Sequence, residues 1–190
     1  MKKFYLIILI ALILTLNSCV SSLNPIYTEK DLIFIPELVG EWTETDNKSK
    51  TTWTFKKQDE KKYILNFLED DKLATFKGNV TKIGDYYYLD LYLKETDTIN
   101  SLYNLHIFPV HTFSRLTING DKLNIEFFSW DWFKEKFKEG KKQLDYIESE
   151  DKQIMITSRT LDLREFMLKN VTTKEPVQGN DYITELKRKK

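Results

Sequence analysis

The amino-acid sequence predicts a mainly β domain, an antiparallel up-and-down barrel that also carries two short helices. Several short segments alternate apolar and polar residues, as half-buried strands do, and turn signals separate them at nearly even intervals. Two further stretches, near 130–139 and near 161–169, have the apolar spacing of helices. We expect the barrel domain over residues 37–170, with another antiparallel barrel, a sandwich or a mixed α+β fold as the alternatives.

The clearest strand pattern lies in residues 85–94. One face of this segment carries Tyr87, Leu89, Leu91 and Leu93. Residues 61–68 and 122–128 alternate in the same way, and residues 51–57 are rich in the β-branched and aromatic residues that favour strands. Asn119-Gly120 is a strong hairpin signal, because both residues tolerate positive φ.

The first predicted helix is capped by Ser129 and ended by Gly140. Its apolar stripe is Trp130, Phe133 and Phe137. Periodicity alone allows this stripe to pack on the barrel, to lie on a membrane surface or to bind a protein partner. A short strand at 153–157 precedes the C-terminal helix, and residues 171–190 are predicted to be a polar C-terminal tail.

The beginning of the chain has the pattern of a bacterial signal peptide. Lys2 and Lys3 precede an uncharged block of 13 residues, 4–16, which is shorter than the ~20 residues that span a bilayer. The sequence Leu16-Asn17-Ser18-Cys19 then resembles the lipobox of bacterial lipoproteins, although Asn17 is not the favoured residue at its position. The resemblance implies that residues 1–18 are a signal peptide and that Cys19 is the lipid attachment site.

The same resemblance implies a place in the cell. The protein would be anchored in the cell envelope by its lipid, and residues 19–36 would be the lipidated cysteine and a tether. Position 20 is not Asp, which by the sorting rules of Gram-negative lipoproteins favours the outer membrane, with the domain facing the periplasm.

A second resemblance concerns the barrel. Gly40-Glu41-Trp42 opens the first predicted strand and is similar to the Gly-x-Trp motif of lipocalins and related calycin barrels. In that family an arginine after the last strand stacks across the tryptophan. The resemblance implies a lipocalin-like barrel closed by Trp42 and Arg159, through a cation–π contact of ~0.5–2 kcal/mol.

Composition excludes several kinds of function. Lys plus Arg and Asp plus Glu are both 29, which leaves no basic surface for nucleic acid. The one cysteine excludes an internal disulfide and a thiolate metal cluster. The six glycines form no phosphate-binding loop. His106 and His111 are the only histidines; a metal between them is the lesser alternative to a structural role.

We therefore expect no catalytic, metal-binding or cofactor-binding residues. The expected function is that of a non-enzymatic, membrane-anchored lipoprotein that binds an apolar small molecule inside its barrel. The alternative is a barrel filled by its own side chains, which serves as an interaction module for a protein partner in the envelope. A hydrolase would need His106 or His111.

Overall fold

The computed structural model describes residues 20–45, 51–96, 108–138, 143–150, 153–171 and 183–189. The predicted signal peptide, Cys19 and His106 lie outside the described residues. The strands are β1 (Ser21–Ser22), β2 (Gly40–Glu44), β3 (Thr52–Lys57), β4 (Lys62–Glu69), β5 (Lys72–Ile83), β6 (Tyr86–Thr96), β7 (His111–Asn119), β8 (Lys122–Phe127), β9 (Tyr146–Glu148), β10 (Ile154–Ile156) and β11 (Ile183–Arg188). The helices are α1 (Trp130–Lys138) and α2 (Thr160–Asn170), and short 3-10 turns lie at Glu29–Asp31 and Pro36–Leu38.

Eight of these strands form a closed antiparallel barrel. Strands β2 to β8 pair in chain order, and β11 lies between β8 and β2. The prediction of a mainly β, up-and-down barrel with two short helices is confirmed. The predicted hairpin at Asn119-Gly120 joins β7 to β8, with Gly120 at a φ of 58°.

The predicted C-terminal tail is wrong for residues 183–188, and so is the domain boundary at 170. These residues form β11, and its Leu186 side chain is 1% exposed inside the barrel. Without this strand the facing edges of β2 and β8 would have unpaired backbone groups. Residues Lys187 and Arg188, which begin the basic run at the end of the sequence, belong to a barrel strand.

The predicted tether is also wrong, because residues 20–35 are part of the folded domain. Val20, Ile26 and Leu32 are 4%, 0% and 4% exposed. The segment crosses the outer face of the barrel, where Leu32 forms an isolated bridge with Thr81. That outer face carries apolar side chains which must be removed from water, and residues 20–35 cover part of it.

The apolar side chains form two cores. The inner core lies inside the barrel and receives residues from all eight of its strands: Leu38, Trp42, Trp53, Phe55, Tyr63, Leu65, Val80, Leu89, Leu91, Leu116, Leu123, Ile125 and Leu186. The outer core lies between the barrel wall, residues 20–26 and the two helices. It includes Phe113, Phe128, Phe133, Leu163 and Phe166. The stripe of α1 therefore packs on the barrel, and Ser129 caps that helix by accepting a hydrogen bond from the backbone N–H of Trp132 at 3.2 Å.

A small three-stranded extension continues the sheet beside β7. Strand β8 ends at Phe127, and β1 takes the neighbouring place along β7, where Ser22 pairs with His111. Strand β10 pairs with β1, and β9 pairs with β10 at the edge. Within the described ranges, no helix is long and apolar enough to cross a membrane.

Candidate functional site

One end of the barrel is closed by Trp42 and Arg188. Trp42 is fully buried, and its Nε1–H donates a hydrogen bond to the carbonyl oxygen of Leu38 at 2.9 Å. The guanidinium carbon of Arg188 lies 4.2 Å from the centre of the Trp42 ring. Its Nη1 also donates to the carbonyl oxygen of Val39 at 2.9 Å, and its Nη2 donates to that of Glu37. The arginine thus connects the end of β11 to the turn that precedes β2.

The predicted partner of Trp42 was therefore the wrong arginine. The side chain of Arg159 is 84% exposed and pairs with Asp162, at 2.8 Å from Nε to Oδ2. Arg159 lies at the start of α2, after β10, and β10 is outside the barrel. The resemblance implies an arginine at the end of the last barrel strand, and in this chain that strand is β11.

Gly40 makes this closure sterically feasible. Its φ of +140° is a conformation that residues with side chains rarely adopt, and a Cβ at this position would overlap Nη1 of Arg188. In the Gly-x-Trp motif, Gly40 therefore leaves space for the guanidinium of Arg188, and Trp42 provides the ring on which it stacks.

Two polar atoms face the inside of the barrel without a partner among the described residues. Nε1 of Trp53 and Oγ of Ser114 are both buried. Ser114 pairs in register with Leu89, which belongs to the inner core, so its side chain points inwards. Trp53 packs edge-on against Phe67 at 4.9 Å between ring centres. A buried unpaired donor or hydroxyl costs about 1–3 kcal/mol, and a bound polar group inside the barrel would remove that cost.

A depression of about 470 Å³ lies at the closed end of the barrel. Its lining includes Ile35, Glu37, Tyr86, Tyr87 and Ile118. Glu37 and Tyr87 are exposed, and the depression is open to solvent. Leu116 of the inner core is also among its lining residues, and the depression is a surface groove rather than an enclosed cavity.

A buried Asp90–His111 pair lies on the outer face of the barrel. Nδ1 of His111 is 2.7 Å from Oδ1 of Asp90, and the backbone N–H of Ile26 donates to Oδ2 at 3.0 Å. The carboxyl group of Asp90 is fully buried. Burial raises the pKa of Asp90, and the hydrogen bond from His111 opposes that rise. The ring of Tyr92 covers His111 at 4.7 Å between ring centres.

Tyr27 extends the same cluster. Its hydroxyl accepts a hydrogen bond from Nδ2 of Asn79 at 3.2 Å, and Asn79 is the cross-strand neighbour of Asp90. Burial, with smaller contributions from the charges of Asp90 and Glu29, raises the pKa of Tyr27 to about 12. Asp90 and Asn79 therefore hold two successive residues, Ile26 and Tyr27, against the barrel wall.

The carboxylate and the imidazole are two of the three groups of a hydrolytic triad, and the residue opposite His111 on β1 is Ser22. The Oγ of Ser22, however, donates to the carbonyl oxygen of Asn24 at 2.7 Å. The described contacts thus use Asp90 to hold the N-terminal segment and Ser22 to stabilise its own turn. Among the described residues no three His, Cys, Asp or Glu side chains are grouped to hold a metal ion. The alternative of a metal ion between His106 and His111 stays a prediction, because His106 lies outside the described residues.

The residue next to the predicted lipid site belongs to the folded domain. Val20 is in the outer core, and its backbone N–H donates to the carbonyl oxygen of Phe128 at 3.2 Å. The adjoining Ser21 pairs with β7 and β10, and its Oγ donates to the carbonyl oxygen of Ile154 at 3.1 Å. Val20, which follows position 19 directly, is therefore held in the folded domain.

No protein-family model, curated protein or solved structure matches this chain.

Proposed function

We propose that the chain is the precursor of a bacterial lipoprotein, and that acyl chains on Cys19 hold its barrel at an envelope membrane. The lipobox-like sequence Leu16-Asn17-Ser18-Cys19 motivates this proposal. The observation that supports it is the placement of Val20, which is 4% exposed and hydrogen-bonded to Phe128. Because the described residues begin at Val20, removal of residues 1–18 would leave all of the described domain in the mature chain.

The strength of the anchor follows from acyl-chain burial. Each buried methylene contributes about 0.8 kcal/mol, so one chain binds a membrane reversibly, while two or three hold it stably. Outer-membrane attachment, with the barrel in the periplasm, is the location we propose from the sorting pattern after Cys19.

We further propose that the barrel is a non-enzymatic interaction module. The inner core supports this, because side chains from all eight strands form one apolar cluster. A small barrel whose interior is filled by its own side chains offers its surface, rather than its interior, to a partner. The groove beside Ile35 and Tyr87 is one place on that surface where a protein of the envelope has room to bind.

An apolar small molecule inside the barrel is the second candidate. The unpaired Nε1 of Trp53 and Oγ of Ser114 favour it, because a ligand with one polar group would satisfy a buried atom. Phe67, Phe76 and Phe127 are only partly buried against the inner core, so they would provide apolar contact for such a ligand.

Two experiments test these proposals. In a Gram-negative host, the wild-type chain should be cleaved before Cys19 and gain the mass of its acyl groups. Cys19→Ala should accumulate as uncleaved precursor, while Asn17→Ala, at the tolerant lipobox position, should be processed normally. Processing of Cys19→Ala like the wild type would contradict the lipoprotein proposal.

The second experiment concerns the interior of the barrel. A soluble form that begins at Val20 is purified gently, and its native mass is measured before and after incubation with envelope lipids. A bare protein in both measurements supports the filled interaction module. A stoichiometric apolar compound, extracted with organic solvent and identified by mass, supports the ligand-binding alternative instead.

A further inference from the structure

The face of the β1–β10–β9 extension that points away from the outer core leaves large apolar side chains exposed to solvent. Ser21, Met155 and Ile147 are paired in register across the three strands, so their side chains share this face. Ile147 is 54% exposed and Met155 is half-buried. Leu23, two residues after Ser21, is 37% exposed. The opposite face carries Ile154 and Ile156, which are buried at 2% and 0%.

Covalent geometry brings the lipid site to this face. The Cα atoms of Cys19 and Val20 are about 3.8 Å apart, because consecutive residues are joined by a trans peptide bond. Neighbouring strands are about 4.8 Å apart, so Ile147 lies about 10 Å from Ser21, two strands away. Since Val20 is fixed in the outer core, the attachment point of the acyl chains lies one residue away from this extension.

We propose that this face, defined by Leu23, Met155 and Ile147, rests on the lipid bilayer in which Cys19 is anchored. The proposal rests on lipidation of Cys19. A lipoprotein with a long linker holds its domain away from the membrane in all orientations. Here Val20 follows Cys19 directly and is already part of the folded domain, so the lipid would hold one face of the domain against the membrane. That face exposes large apolar side chains.

The charges around this face indicate the kind of lipid surface that fits it. The exposed residues Asp145, Glu148 and Glu150 lie within three residues of Ile147 in the sequence, and all three are acidic. Anionic headgroups would repel them. The contact we propose is therefore an apolar one with a neutral or zwitterionic surface, held in place by the acyl chains.

The test compares two exposed positions. Ile147→Cys probes the proposed face, and Leu168→Cys is the matched control, because Leu168 is 53% exposed and lies on α2 beside Gly84. Cys19 is the only cysteine of the chain, and lipidation consumes its thiol, so each variant has one free thiol. The lipidated proteins are placed in phosphatidylcholine nanodiscs, and labelling with a membrane-impermeant maleimide is timed against the soluble forms that begin at Val20.

We expect the nanodisc to slow labelling of Ile147→Cys several-fold and to leave Leu168→Cys unchanged. Labelling of Leu23→Cys should also be slowed by the nanodisc, so the result does not depend on correct folding of the Ile147→Cys variant alone. If the nanodisc changed labelling at positions 147 and 168 equally in an acylated protein, the proposed face would be overturned and the lipoprotein proposal would stand. A mass that shows no acyl group on Cys19 would overturn both. Slow labelling of Ile147→Cys already in the soluble form, with a dimeric native mass, would assign the face to a second copy of the chain.

Discussion

Arg188 and Trp42 belong to the last and first barrel strands in the sequence, and their side chains are in contact where they close one end of the barrel. The guanidinium carbon is 4.2 Å from the ring centre, and the same guanidinium donates to the carbonyl oxygens of Val39 and Glu37. One side chain therefore combines a cation–π contact with two backbone hydrogen bonds. It fastens β11 to the turn before β2.

Replacement of this arginine should weaken the barrel. We expect Arg188→Ala to lower the free energy of unfolding by about 1–3 kcal/mol, from the lost cation–π contact and hydrogen bonds. Arg159→Ala is the control, because that side chain is 84% exposed and pairs with Asp162 at the surface. Its effect should stay within ~0.5 kcal/mol. Urea unfolding followed by tryptophan fluorescence measures both. A larger effect at Arg159 than at Arg188 would contradict the assignment.

Strand β11 gives a second prediction. Leu186 is 1% exposed inside the barrel, so Leu186→Ala should cost about 2–5 kcal/mol of stability. The next residue, Lys187, points outwards and is exposed, and Lys187→Ala should change stability by no more than ~0.5 kcal/mol. Thermal unfolding measured by circular dichroism separates the two. If residues 183–188 were a free tail, neither substitution would have an effect.

The third prediction concerns the buried pair of Asp90 and His111. Asp90→Ala leaves the backbone N–H of Ile26 and the imidazole of His111 without their acceptor, and should destabilise the fold by about 3 kcal/mol. Because the residues interact, Asp90→Ala and His111→Ala together should cost less than the sum of the single substitutions. Asp85→Ala, at an exposed turn, is the control. Additive costs in this double-mutant cycle would show that the pair does not act as a unit.

The raised pKa of Tyr27 predicts that the fold loses stability at alkaline pH. Its pKa is raised from 10.0 to about 12 in the folded state, mainly by burial, so the folded form keeps its proton where an unfolded chain would lose it. The contribution of Tyr27 to stability is therefore complete below pH 10 and is lost as the pH rises from 10 towards 12. Urea unfolding between pH 9 and pH 12 measures this loss, which should be smaller in Tyr27→Phe. An equally steep loss in that variant would exclude Tyr27 as its source.

The sequence predicted those parts of the fold in which one strand face is continuously apolar. Tyr87, Leu89, Leu91 and Leu93 alternate without interruption, and the strand is present. In β11 the inward positions are Thr184, Leu186 and Arg188, of which one is apolar, so local alternation does not reveal the strand. Its place depends on pairing with β2 and β8, which lie far away in the sequence.

The candidate site was predictable to a lesser extent. Trp42 followed from the Gly-x-Trp motif, but its partner depended on knowing which strand is last in the barrel. Asp90 has polar or aromatic neighbours on its face of β6 and looks solvated in the sequence. It is buried because residues 20–35 fold over it. Val20, Ile26 and Leu32 are six residues apart, with mostly polar residues between them, so no continuous apolar pattern predicts that they would.

The position of β11 in the chain also governs when the barrel can form. Strands β2 to β8 precede it, and until residues 183–188 arrive, β2 and β8 each keep an unpaired edge. Closure then joins segments that are far apart in sequence, which makes folding slow. For the exported chain proposed above, a polypeptide that crosses a membrane with its N-terminus first delivers β11 after the other barrel strands, so the barrel can close only when Arg188 has also crossed.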